Sequence, residues 1–172
     1  MSHDTKTRTY SYSTAQLDLS AALQMTGLEY MRALVEGRFG PPPSISETLN
    51  FSVPFDLDVG KASVEGEPAD FMLNPLSSIH GGFAAALLDT ALGISVHTAL
   101  PKATGYTTAE LSVNYVRPMR PDMGKVRADG RLLHIGRSIA TSEAKITGVN
   151  DGKLYAHGTT TCLVFPLHPP GS

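Results

Sequence analysis

Asp89 is the residue of this chain with the strongest claim to chemistry. It stands in the run Gly81-Gly82-Phe83-Ala84-Ala85-Ala86-Leu87-Leu88-Asp89-Thr90-Ala91-Leu92-Gly93-Ile94-Ser95-Val96, which is apolar nearly all round. A carboxylate in such a run costs free energy unless something compensates it. Read as a helix, its neighbours at i−7, i−4, i−3 and i+4 are Gly82, Ala85, Ala86 and Gly93, so the face bearing the carboxylate carries the smallest side chains. That face leaves room for a ligand or for another backbone packed closely. The run opens on His80-Gly81-Gly82. Glycines allow close backbone approach, and free N–H groups at a helix N-terminus point at developing negative charge, which a thioester carbonyl oxygen acquires on attack. An oxyanion donor pair and a carboxylate two turns along the same helix make a hydrolytic site plausible on chemical grounds. The competing reading is a carboxylate that pairs with a basic group or a loop and only fixes the helix.

Other chemistry has weaker anchors. Ser77, Ser78, Ser95 and Ser138 sit in no Gly-x-Ser-x-Gly elbow. Cys162, the single cysteine, lies in a strand-like segment where a buried inert thiol is the ordinary expectation. His3, His80, His97, His134, His157 and His168 show no paired ligand spacing, so no metal site is expected. No Gly-x-Gly-x-x-Gly follows a strand and no Gly-Lys-Ser or Gly-Lys-Thr cradle exists, so no nucleotide cofactor is indicated.

The elements that must position Asp89 follow from periodicity. Leu28, Met31, Leu34 and Val35 share one helical face within residues 14–36, and Gly37 with Pro41-Pro42-Pro43 ends that helix. Residues 49–59 and 61–72 alternate, turning around Gly60, and are expected to form two antiparallel strands. The loop 73–80 leads into the Asp89 helix, whose all-round apolar character marks it as buried. Four further strands are expected at 105–116, 125–134, 139–149 and 154–165, separated by turn-forming segments such as Asn150-Asp151-Gly152-Lys153. The order is helix, two strands, buried helix, four strands: an α+β pattern in which one long antiparallel sheet wraps a central helix. Residues 1–48 are read as an N-terminal extension of the same domain, 49–166 as the domain proper and 167–172 as a tail.

Composition narrows the partners. With 172 residues, 41% of them hydrophobic and 17% charged, the chain is one globular domain rather than a disordered or repetitive array. A net charge of −2 supplies no field for a nucleic-acid backbone, and without tryptophan there is no evident stacking platform. The longest unbroken apolar run, residues 83–88, is too short to span a bilayer, and the N-terminus lacks a secretory stretch. A lone cysteine suits a reducing compartment, so a cytoplasmic location is expected, with neither nucleic acid nor membrane as partner.

Asn74-Pro75, then His80-Gly81-Gly82, then Asp89 nine residues after the histidine, resemble the phenylacetic-acid-degradation branch of the hot-dog acyl-CoA thioesterases. The likeness runs through nearly the whole chain. It includes Gly27-Leu28-Glu29-Tyr30-Met31-Arg32-Ala33-Leu34-Val35-Glu36-Gly37 before the prolines, Asn114-Tyr115-Val116-Arg117-Pro118, Gly136-Arg137 and Gly152-Lys153-Leu154-Tyr155-Ala156. The resemblance implies a hot-dog fold with an extra N-terminal helix, hydrolysis of an acyl-CoA thioester, and a homodimer that goes on to a dimer-of-dimers tetramer. It implies that Asp89 of one subunit, as nucleophile or as general base for water, faces the His-Gly-Gly segment of the other. There the Gly81 N–H, with Gly82 beside it, would meet the thioester. Asn74 and His80 would organise the loop, the water or the thioester, and Thr108 or its neighbour Thr107 would hold the water. Arg117, Arg120 and Arg137 are candidates for the coenzyme A phosphates, Arg137 foremost. No cofactor is expected, coenzyme A being part of the substrate. The acyl group stays open between aromatic, phenylacetyl-type thioesters and aliphatic ones. Two alternatives remain: a non-catalytic acyl-CoA-binding protein, and a hot-dog hydratase or dehydratase, which would place its histidine further upstream.

Overall fold

The computed structural model describes residues 5–14 and 19–168. Six strands, β1 (Phe55–Asp58), β2 (Lys61–Gly66), β3 (Thr104–Tyr115), β4 (Val126–Ile135), β5 (Ile139–Gly148) and β6 (Leu154–Pro166), form one antiparallel sheet in the order β1-β2-β4-β5-β6-β3. The helices are α1 (Leu19–Ala22), α2 (Gly27–Val35), α3 (Ser44–Leu49) and α4 (Gly81–His97), with a 3₁₀ turn at Asp70–Met72. The sheet wraps α4, which is the hot-dog fold expected from the sequence.

Helix α4 is held because its sequence leaves it nowhere else to go. Leu87, Leu88, Leu92 and Val96 are fully buried, and the first three alone contribute about 1.5–3 kcal/mol each by leaving water. The three leucines share the core with Val64, Val126, Ala128 and Ile146, which point inward from β2, β4 and β5, while Val96 packs with Leu100, Ala140 and Cys162. The sheet comes closest where Gly130 of β4 faces α4. A Cβ there would stand 2.3 Å from the Ala91 carbonyl oxygen, so only glycine admits this approach. Ser142 Oγ reaches from β5 to the Leu92 carbonyl at 3.1 Å, tying helix to sheet.

The N-terminal portion differs from the sequence expectation. In place of one helix over 14–36 there are the single turn α1 and the separate α2, while residues 15–18 lie outside the described segments. The break falls at Thr26, which caps α2 in a reciprocal box with Glu29, and a capping residue is a helix start rather than an interior position. Residues 49–54 are not strand: Leu49 closes α3, Asn50 takes a left-handed φ of 55°, and the ladder begins only after Pro54. Likewise β2 stops at Gly66, before Pro68, and 70–72 form the 3₁₀ turn. The four later strands match their expected spans to within a residue or so.

Helix α2 is docked on the end of α4 by a backbone contact. The Gly27 N–H donates to the Leu100 carbonyl at 2.9 Å, and a Cβ on Gly27 would fall 1.7 Å from the His97 carbonyl oxygen. Tyr30 then stacks on Phe39 at 4.8 Å and on His97 at 5.4 Å, and His97 meets the edge of Tyr106 at 5.6 Å.

Candidate active site

Strand β3 carries the partner of Asp89. Thr108 Oγ1 donates to Asp89 Oδ1 at 3.0 Å, which decides between the two adjacent threonines: Thr108 faces α4 and Thr107 faces the other side of the sheet. The same strand also reaches the other end of α4, where Tyr115 Oη donates to the Gly81 carbonyl at 3.2 Å. Thr108 and Tyr115 are seven residues apart, an odd number that would put them on opposite faces of a regular strand. A bulge between Thr108 and Glu110 re-phases the strand, so Tyr106 and Thr108 before it and Leu111, Val113 and Tyr115 after it all face inward.

At its N-terminus α4 is capped by His80, whose Nδ1 accepts from the Gly82 N–H at 2.9 Å. That takes Gly82 out of the donor pair expected from the sequence. The Gly81 N–H, by contrast, has no acceptor among the described residues. Asn74 shapes the preceding loop: its Oδ1 accepts from the N–H groups of Leu76 at 2.9 Å and Ser78 at 3.2 Å, and its Nδ2 donates to Ser78 Oγ at 2.9 Å.

The two ends of the helix open into different clefts. Asn74, His80, Gly81, Tyr115 and Arg117 line one of about 360 Å³. Asp89 and Thr108 line another of about 600 Å³, whose remaining walls come from α2, from 42–54 and from Phe165 and Leu167. Asp89 lies eight residues beyond Gly81, about 12 Å along the helix axis. A carbonyl attacked from about 3.5 Å and held by a donor about 3.1 Å from its oxygen spans only some 8 Å. Along the helix axis, Asp89 and the Gly81 N–H of one chain therefore stand further apart than a single carbonyl group spans.

Several expected residues stand elsewhere. Arg137 is exposed in the turn between β4 and β5 and lines neither cleft. Arg120 pairs with Asp122 at 2.9 Å, while Arg117 stays on the wall of the Gly81 cleft and donates to the Leu154 carbonyl at 2.6 Å. Gly93, part of the small-residue face, is covered rather than open: a Cβ there would meet the Tyr106 hydroxyl at 2.8 Å. Cys162 is fully buried opposite Thr108, and burial raises its thiol above the usual range. Among the described residues no cluster of His, Cys, Asp or Glu could hold a metal, and no helix is long and apolar enough to cross a membrane.

Sequence inspection missed two groups in the Asp89 cleft. His97, in the last turn of α4, has its imidazole pushed down to about 4 by burial and is neutral at neutral pH. Tyr106 has its phenol pushed well above the usual range, by burial first and by Cys162 and Asp89 next. The available signal was their spacing: His97 is eight residues after Asp89 and Tyr106 two before Thr108, both on the faces those residues define.

The thioesterase superfamily model matches residues 76–155, which include His80, Gly81, Asp89 and Thr108. An inferred esterase of Halobacterium salinarum is 40% identical over 70 residues, 40% of this chain and 44% of that protein. An inferred esterase of Caenorhabditis elegans is 31% identical over 102 residues, 56% of each chain. The chain thus spans about half the length of the curated relatives it matches. Among solved structures, an inferred thioesterase from Ralstonia eutropha related to phenylacetic acid degradation superposes with a TM-score of 0.69 at 27% identity, covering 78% of this chain and 98% of its own.

Proposed function

We propose that this chain hydrolyses an acyl-CoA thioester, with Asp89 as the catalytic carboxylate and the Gly81 N–H of a second copy as the oxyanion donor. The observation that carries the reading is the Asp89–Thr108 pair, a carboxylate held by a hydroxyl at 3.0 Å on the wall of an apolar cleft. The match of residues 76–155 to the thioesterase superfamily supports it independently.

The 12 Å argument above and the sheet's edge support the second copy. β3 is an edge strand of 12 residues, and unpaired edges of that length invite antiparallel pairing. Pairing β3 with its own two-fold copy about Ser112, the bulge counted, sets Thr108 opposite the partner's Tyr115, the residue lying on Gly81. Leu76 and Tyr115, 87% and 58% exposed beside the Gly81 cleft, are then covered.

In this arrangement the thioester oxygen lies against the Gly81 N–H while Asp89 acts on the carbonyl carbon. Either a carboxylate oxygen attacks, forming an anhydride that water then cleaves, or the carboxylate takes a proton from an attacking water; coenzyme A leaves as the thiol in both routes. Thr108 orients the carboxylate, and His80 and Asn74 hold the helix start and its loop in shape. No cofactor enters the reaction, and coenzyme A is part of the substrate. A phenylacetyl-type acyl group belongs to this reading, as does assembly of dimers into a tetramer.

The test is thiol release from a panel of acyl-CoA thioesters by the wild-type chain and by Asp89→Asn. Release that falls by a factor of about a thousand or more in a folded variant supports the reading. Binding of acyl-CoA with no release by the wild type overturns it.

A further inference from the structure

Resting on the acyl-CoA reading, we infer that the segment spanning α2, α3 and residues 50–54 is the wall that sets which acyl group is accepted, and that this group is uncharged and apolar. The cleft beside Asp89 has about 600 Å³ and is built from two sources: α4, β3 and the chain's end on one side, and this segment on the other. Met31 and Leu34 of α2, Ile45 of α3 and Val53 supply its apolar outer wall. All of them precede residue 76, where the superfamily match begins.

The wall is fixed rather than loosely draped. Gly27 locks α2 against the end of α4 through backbone atoms alone, the Thr26–Glu29 box starts the helix, and Tyr30 is sandwiched between Phe39 and His97. A rigid wall can discriminate by size, because filling a close-packed site forces strain that a flexible one would relieve.

The charge argument is independent. Among the described residues lining the cleft no lysine or arginine occurs, and Asp89 is the one carboxylate. His97, which forms the floor about 12 Å along the helix from Asp89, is neutral. An acyl group with a terminal carboxylate would lose its hydration there and gain no cation in return. Saturated medium-length and aryl-bearing acyl groups meet mostly apolar side chains and ring faces there.

The experiment compares kcat/KM for acetyl-, octanoyl-, phenylacetyl- and succinyl-CoA in the wild type, Ile45→Trp, Leu34→Ala and, as a control on the outer sheet face, Lys145→Ala. Ile45→Trp is expected to lower the octanoyl-to-acetyl ratio by about tenfold or more, Leu34→Ala to raise the octanoyl share, and Lys145→Ala to leave the ratio at the wild-type value. Ile45 is half exposed, so the larger ring is compatible with folding; Val53→Phe, at another exposed wall position, serves if it is not. A ratio within twofold of wild type in a folded Ile45→Trp, or succinyl-CoA as the preferred substrate, overturns the inference. If the wild type cleaves nothing, hydrolysis is refuted separately. The same ratios are then read from the dissociation constants of octanoyl- and acetyl-CoA measured by calorimetry on Asp89→Asn and its Ile45→Trp double variant, and an unchanged ratio there overturns the wall.

Discussion

Thr108 and Asp89 meet at 3.0 Å across the gap between the edge strand and the central helix, and that hydroxyl is the one side-chain group holding the carboxylate among the described residues. A hydrogen bond to a charged group contributes about 1.5–3 kcal/mol. Thr108→Val, which keeps the shape and removes the donor, is therefore expected to lower kcat/KM about 10- to 100-fold in the thiol-release assay. Thr107→Val, on the other face, is expected to stay within about twofold. Equal losses in both variants would refute the pairing as the relevant contact.

Gly81→Pro isolates the oxyanion donor. Proline is favoured at the first helical position because that N–H has no intrahelical partner, and His80, with φ −61° and ψ 136°, already has the extended conformation a residue before proline needs. The added ring must displace Tyr115 slightly, since a Cβ at this position lies 3.0 Å from its ring, but the contact is with the far end of that side chain, which can shift. The expected result is a fold retained by circular dichroism and kcat reduced by about 10²- to 10³-fold. A variant with full activity would remove Gly81 from the reaction.

Subunit exchange tests the shared site. Mixed dimers of Asp89→Asn and Gly81→Pro chains contain one intact site and one with both defects, so an equimolar mixture should recover about a quarter of wild-type activity. Recovery is followed after exchange has been verified by native mass spectrometry. Complete exchange without recovery would mean that Asp89 and Gly81 do not meet across an interface.

Helix α2 should depend on a single missing Cβ. Gly27→Ala forces a methyl group to 1.7 Å from the His97 carbonyl oxygen, a backbone atom that cannot swing aside. Urea denaturation is expected to show a loss of about 2–3 kcal/mol, together with weakened acyl selectivity as the wall lifts. A loss below about 0.5 kcal/mol would show that α2 is not seated through Gly27.

Burial of His97 couples stability to pH with a definite sign. Its folded pKa of about 4 lies below the ordinary value of 6.5, so the unfolded chain binds the proton more readily between those limits. The stabilisation is complete above about pH 6.5 and is lost as pH falls toward 4, by up to about 1.4 kcal/mol per unit. His97→Phe keeps a ring between Tyr30 and Tyr106 and removes the proton site. Stability curves from pH 4 to 7 should be measurably shallower in this variant than in the wild type; parallel curves would place the titration elsewhere.

Periodicity along the chain sufficed for what local interactions decide. The all-round apolar run from Gly81 could only be a buried helix, and the alternation after residue 104 could only be strands, so α4 and β3 to β6 were legible in advance. The spacing of Asn74, His80, Gly81 and Asp89 pointed to one end of that helix and to one carboxylate along it. Less legible were the split into α1 and α2, whose Thr26-x-x-Glu29 cap was present but unread, and α3, too short for a periodic signal. The pairing of Asp89 with Thr108 rather than Thr107 depended on a bulge, and a bulge is a mismatch between two strands that neither strand encodes alone. The Asp89 cleft draws its walls from residues 30–54, 89–108 and 165–167, brought together only by the docking of α2 on α4. That Arg137 lines neither cleft of the single chain has the same cause: distance in space is set by packing between segments far apart in the chain, whereas periodicity and spacing describe only neighbours within one.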